Sequence, residues 1–126
     1  MKWPALFSLV GLVACTGSPG SAPATVTPSG TLAVAQSGSS VPVVTSAAAP
    51  FAFSSGASFV VAEAGYTGTF SATLAPAGTA CLILAASSPP TFNVATIGGL
   101  PCQGTTGTLV ISDTLGHSTT VFLRVQ

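Results

Sequence analysis

From Pro50 to the last residue, apolar and polar side chains alternate in short bursts, each interrupted by glycine, proline or serine. Alternation with a period of two sends successive side chains to opposite faces, so each burst describes a strand with one buried face and one wet one. The runs fall at 51–54, 58–63, 68–74, 80–86, 92–97, 107–113 and 118–125. Between them lie Gly56, Gly65, Pro76-Ala77-Gly78, Ser88-Pro89-Pro90, Gly98-Gly99 and Gly116. In the last run Val121, Leu123 and Val125 share one face, while Thr120, Phe122 and Arg124 share the other. Leu109 and Ile111 alternate in the same way one run earlier. Asp113-Thr114-Leu115-Gly116 reads as a tight hairpin turn, with Gly116 supplying positive φ and Asp113 capping. No stretch of useful length repeats at helical spacing. About seven short strands separated by turn signals predict an all-β sandwich of two sheets over residues 50–126.

Charge is nearly absent. The 126 residues hold two Lys or Arg, two Asp or Glu and one His. No basic patch exists to neutralise phosphates, so nucleic acid is excluded as a partner. Hydrophobic residues make up 48% of the chain, many of them Ala and Val set among Ser and Thr. That composition fits a β protein with a Ser/Thr surface and not a charged, disordered tail.

Residues 16–30 are rich in Ser, Thr, Gly and Pro, with Val26 the one branched aliphatic, and nothing there could fill a core. They read as a tether, with an end-to-end distance of about 20 Å when flexible and about 45 Å when prolines hold it extended. Residues 31–36 alternate like a strand, and 41–45 could pair with them across Ser37-Gly38-Ser39-Ser40. Pro42 confines that second run to an edge or removes it. Residues 31–45 are thus either an extra hairpin or a prolonged stalk, the stalk being preferred. The expected organisation is a signal over 1–14, a tether over 15–49 and a domain over 50–126.

At the N-terminus Met1-Lys2 gives a positive start, residues 5–14 are almost wholly apolar, and small residues lead into Cys15. This is the layout of an export signal. A membrane-spanning helix needs about 20 apolar residues, whereas this run is broken by Ser8 and Gly11 and stops at Thr16. The segment Leu12-Val13-Ala14-Cys15 resembles the lipobox of bacterial lipoproteins. That resemblance implies removal of residues 1–14, a diacylglycerol thioether on Cys15 and an acylated new amine. It also implies a lipid bilayer as partner, at the outer membrane or cell surface of a bacterium; Thr16 is not the Asp that resembles an inner-membrane retention signal. An ordinary secretory signal cut near Ala14 is the alternative. The chain has three cysteines, an odd number for an exported protein. Lipidation of Cys15 leaves Cys81 and Cys102, which an oxidising compartment joins as a disulfide.

Three stretches carry a second resemblance: Val61-Ala62-Glu63-Ala64-Gly65-Tyr66-Thr67-Gly68-Thr69-Phe70, Phe92-Asn93-Val94, and Leu109-Val110-Ile111-Ser112-Asp113-Thr114-Leu115-Gly116-His117-Ser118-Thr119-Thr120-Val121. Together they resemble a bacterial immunoglobulin-like domain over about residues 50–126. The resemblance implies an immunoglobulin-like β-sandwich of about seven strands. Related domains often place a cysteine in the strand before the final hairpin; here Thr106-Gly107-Thr108 occupies that stretch and Cys102 lies upstream.

Residues able to do chemistry are few. Two thiols and one histidine lack ligand spacing, so no metal site is expected, and the thiols are too far apart in sequence for a redox pair. His117 follows Gly116 and is expected to face solvent in the turn. Asp113 and Ser118 are its neighbours, but consecutive strand side chains point to opposite faces, which argues against a triad. Glu63 and Asp113 are the only side-chain carboxylates and sit at turn ends of different hairpins. Glu63, Gly65, Tyr66 and Gly68 form the most distinctive local pattern: a glycine-shaped corner under Tyr66, with Tyr66 the candidate binding residue if the corner recognises a ligand. No phosphate-loop, zinc-protease or dinucleotide motif occurs. The expectation is a non-enzymatic surface lipoprotein without cofactor, structural or adhesive in role. The alternative is a module recognising a glycan or surface protein through the Tyr66 turn or a sheet edge that lacks protective charge.

Overall fold

The computed structural model describes residues 26–75, 81–97 and 102–126. The signal segment, Cys15, the tether up to residue 25 and the turns at 76–78 and 98–99 lie outside the described residues. The strands in chain order are β1 (Leu32–Gln36), β2 (Phe51–Phe53), β3 (Gly56–Glu63), β4 (Ser71–Ala75), β5 (Leu82–Ser88), β6 (Thr91–Thr96), β7 (Thr106–Ser112) and β8 (Ser118–Val125). They form two four-stranded sheets, ordered β1-β3-β6-β5 and β2-β8-β7-β4. Neighbours pair antiparallel except β2, which runs parallel to β8. This is the strand order of an immunoglobulin sandwich, its first strand divided so that β1 edges one sheet and β2 the other.

The alternation in the sequence builds the core directly. Phe59 and Val61 of β3, Phe92 and Val94 of β6, Leu109 and Ile111 of β7, and Val121, Leu123 and Val125 of β8 are all buried between the sheets. Phe51 meets Phe59 edge to face, with ring centroids 5.1 Å apart, a geometry that adds to simple area burial. The two thiols join as the Cys81–Cys102 disulfide, with Cα atoms 5.4 Å apart. Cys81 immediately precedes β5 and Cys102 shortly precedes β7, so the bond ties an edge of one sheet to the middle of the other.

One expectation needs correction. Residues 31–36 are not part of a stalk: they form β1, whose Leu32 and Val34 enter the core and whose whole length pairs with β3. Residues 41–45 do not complete a regular hairpin with it; they contribute the bridge Ala35↔Pro42 and a 2.7 Å hydrogen bond from Val43 N to Val34 O. Proline has no N–H to extend that ladder. The chain then crosses to the second sheet, where Thr45 Oγ1 accepts a hydrogen bond from Phe122 N. The folded unit therefore begins well before Pro50, at least as early as Ser29, whose N–H donates to Ala64 O.

Candidate functional site

Inward parity places two carboxylates where hydrophobic side chains would otherwise be. The inner face of β3 runs Phe59, Val61, Glu63, and that of β7 runs Leu109, Ile111 and, one step past the strand, Asp113. β3 and β7 belong to opposite sheets, so Glu63 and Asp113 close the same end of the sandwich from its two sides. Both side chains have 0% of their surface accessible.

The hairpin between β7 and β8 sets the Asp113 side chain. Asp113 N donates to His117 O across the turn, and Gly116 takes the positive φ of 98° that such a loop requires. Asp113 Oδ1 accepts from Leu115 N and His117 N, each at 2.8 Å. Its second oxygen, Oδ2, accepts from His117 Nδ1 at 2.6 Å. Glu63 enters from the other side, its Oε1 3.3 Å from the same Nδ1. Gly30 N donates to Glu63 Oε1 at 2.7 Å. Glu63 Oε2 is buried with no hydrogen-bond partner. Burial pushes the Asp113 carboxyl up, but donation from the His117 backbone, the His117 ring and Leu115 N outweighs it. The net effect holds Asp113 at about 2.

His117 is thus not simply a solvated turn residue: its ring edge is 35% exposed while Nδ1 points inward at both carboxylates. Its other nitrogen faces Gly30, where a Cβ would stand 3.4 Å from Nε2. Among the described residues no hydroxyl is hydrogen-bonded to that nitrogen. The convergence of Glu63 and His117 escapes local sequence patterns because it joins different hairpins. The one available signal is parity, which gives Glu63 the face of Phe59 and Val61, and Asp113 the face of Leu109 and Ile111.

Tyr66 sits at the same end. Its hydroxyl donates to Thr69 O at 2.8 Å, accepts from Thr114 N at 3.1 Å and contacts Thr114 Oγ1 at 2.8 Å. Its ring meets Phe70 edge to face at 5.0 Å. The tyrosine therefore clamps the β3–β4 corner onto the β7–β8 turn. Gly65 makes the corner passable for the incoming chain: a Cβ there would lie 2.8 Å from Thr27 O, and its φ is +79°. Val61, Glu63, Tyr66, Phe70, Pro89 and Pro90 are among the residues lining an open cavity of about 300 Å³ beside the clamp.

Among the described residues there is no helix long and apolar enough to cross a membrane. Comparison with protein-family models, with curated proteins and with solved structures returns no match to this chain.

Proposed function

We propose that the chain is a lipid-anchored bacterial surface protein whose sandwich domain has a structural or adhesive role without catalytic turnover. The observation that carries this reading is the cysteine pairing. Cys81 and Cys102 are joined to each other, which leaves the third cysteine, Cys15, standing in Leu12-Val13-Ala14-Cys15 behind a charged and apolar leader. Two or more acyl chains at that sulfur and its amine suffice for stable anchoring, since each buried methylene contributes about 0.8 kcal/mol. The chain between Cys15 and the first tertiary hydrogen bond, at Ser29, spans at most about 48 Å. The domain is therefore held close to the bilayer with its Gly30–His117 end nearest the tether.

A second reading, recognition by strand addition, is favoured by the sheet edges. β4 and β5 end their sheets without a Lys, Arg, Asp or Glu, and Ile83 of β5 is exposed. Such edges are open to pairing with another chain. Tyr66 is less suited to recognition, since its hydroxyl is already engaged within the fold.

Metabolic labelling with a palmitate analogue tests the anchoring. The wild-type protein is expected to carry label and the Cys15→Ser variant none. An unlabelled wild-type protein in a host that labels its other lipoproteins would refute the reading.

A further inference from the structure

We propose that Glu63, Asp113 and His117 form a binding site for a divalent transition-metal ion of the zinc class. The chain has two acidic side chains and one histidine in all, and the fold brings one donor atom from each to within 4.8 Å of the others. Independently of that clustering, the Glu63 carboxylate is fully buried, aimed into the cluster and has its Oε2 unpartnered. A buried carboxylate oxygen without a donor is costly, and two adjacent buried carboxylates repel each other.

Among the described residues no fixed positive charge offsets them. Arg124 lies near the far end of β8, about 20 Å along the strand from His117. A singly charged imidazolium balances one carboxylate. A doubly charged ion balances both and supplies the missing partner for Glu63.

The surroundings are those of a preorganised ligand set. Each carboxylate has one oxygen fixed by backbone N–H groups, Glu63 Oε1 by Gly30 and Asp113 Oδ1 by Leu115 and His117. The oxygens that face His117 Nδ1, Glu63 Oε1 and Asp113 Oδ2, are the ones offered to the ion, and the unpartnered Oε2 can complete a bidentate Glu63 carboxylate. Such outer hydrogen bonds orient ligands and typically change metal affinity 10- to 100-fold when lost. One imidazole nitrogen with two carboxylates suits zinc and its neighbours better than calcium or magnesium, which prefer oxygen alone.

Donors about 2.0–2.1 Å from a tetrahedral zinc stand about 3.3 Å apart. Nδ1 and Glu63 Oε1 already have that spacing. Nδ1 and Asp113 Oδ2, at 2.6 Å, must separate by about 0.7 Å, a movement available to a half-exposed ring beside Gly116. Binding takes His117 as a neutral imidazole that ligates through Nδ1 and keeps its proton on Nε2, and leaves the fourth position to water.

The test is calorimetric titration of the untagged, chelator-treated protein with Zn²⁺, alongside the visible absorption of its Co²⁺ form. The site predicts one ion per chain, ligand-field bands with Co²⁺, and at least tenfold weaker binding in both Glu63→Gln and His117→Ala. His117→Ala removes a ring that is 35% exposed and leaves the backbone hydrogen bonds of the turn in place, which keeps the fold available for measurement if Glu63→Gln does not. In the wild-type protein Zn²⁺ should also shift the Nδ1 resonance of His117. Absence of stoichiometric uptake, uptake unchanged in His117→Ala, or Ca²⁺ binding as tight as Zn²⁺ would each overturn the assignment.

Discussion

Replacing both Cys81 and Cys102 with alanine removes the disulfide that cross-links the two sheets, and its cost follows from the chain it closes. The two residues are 21 apart in sequence, for which the chain-entropy model gives a stabilisation of about 3.3 kcal/mol at 25 °C. Cys102 is buried, so alanine there avoids placing an unsatisfied hydroxyl in the core, as serine would. The lost sulfur contacts add to the entropic loss rather than oppose it. For a domain of this size each kcal/mol moves the melting temperature by about 4–8 °C, so the double variant should melt about 13–26 °C lower. Circular dichroism melts, with urea titrations at 25 °C, measure both quantities. A fall of less than about 5 °C, with an unchanged urea slope, would refute the entropic account. It would show that the β5–β6 hairpin is already restrained in the unfolded chain.

Three further outcomes follow from the packing. Phe59→Ala, at a side chain with no accessible surface that meets Phe51 edge to face, should destabilise by about 3–5 kcal/mol in urea titration. Gly65→Ala places a Cβ against Thr27 O at a positive φ and should cost about 1–3 kcal/mol. Its effect should appear as faster hydrogen exchange at Ser29 and Gly30 while the β7–β8 amides stay protected. In metal-free protein Asp113, which faces Glu63 and His117, has its folded value depressed from 3.8 to about 2. Its contribution is therefore present above pH 3.8 and lost as pH falls through 2. The stability gap between wild type and Asp113→Asn should be constant at pH 5–6 and close between those two values, as read from acid-dependent urea midpoints.

Much of the fold is legible in the alternation, and the reasons it fails elsewhere are local. The strand at 118–125 is met residue for residue by β8, and Leu109, Ile111, Val121, Leu123 and Val125 point inward as their parity requires. The run predicted at 68–74 starts later, at Ser71, because Tyr66 holds Thr69 O and keeps that stretch in the corner. β1 is hidden because its partner is not the neighbouring run but β3, more than twenty residues on, and Pro42 masks the short bridge that does form. The polar cluster is hidden for a related reason. Asp113 and His117 are linked by turn chemistry that the sequence states openly, whereas Glu63 joins them only once two sheets face each other. A carboxylate at the inward position of a strand end is the sequence signal worth following in such domains.

Intact-mass analysis of the natively expressed protein tests the central claim, that a nearly uncharged sandwich is tied to a bilayer through one sulfur. The account predicts a chain beginning at Cys15, heavier by a diacylglycerol group and in most hosts a further acyl chain, and lighter by two hydrogens for the Cys81–Cys102 bond. A chain recovered from the culture medium with a free, unacylated amino terminus would contradict it.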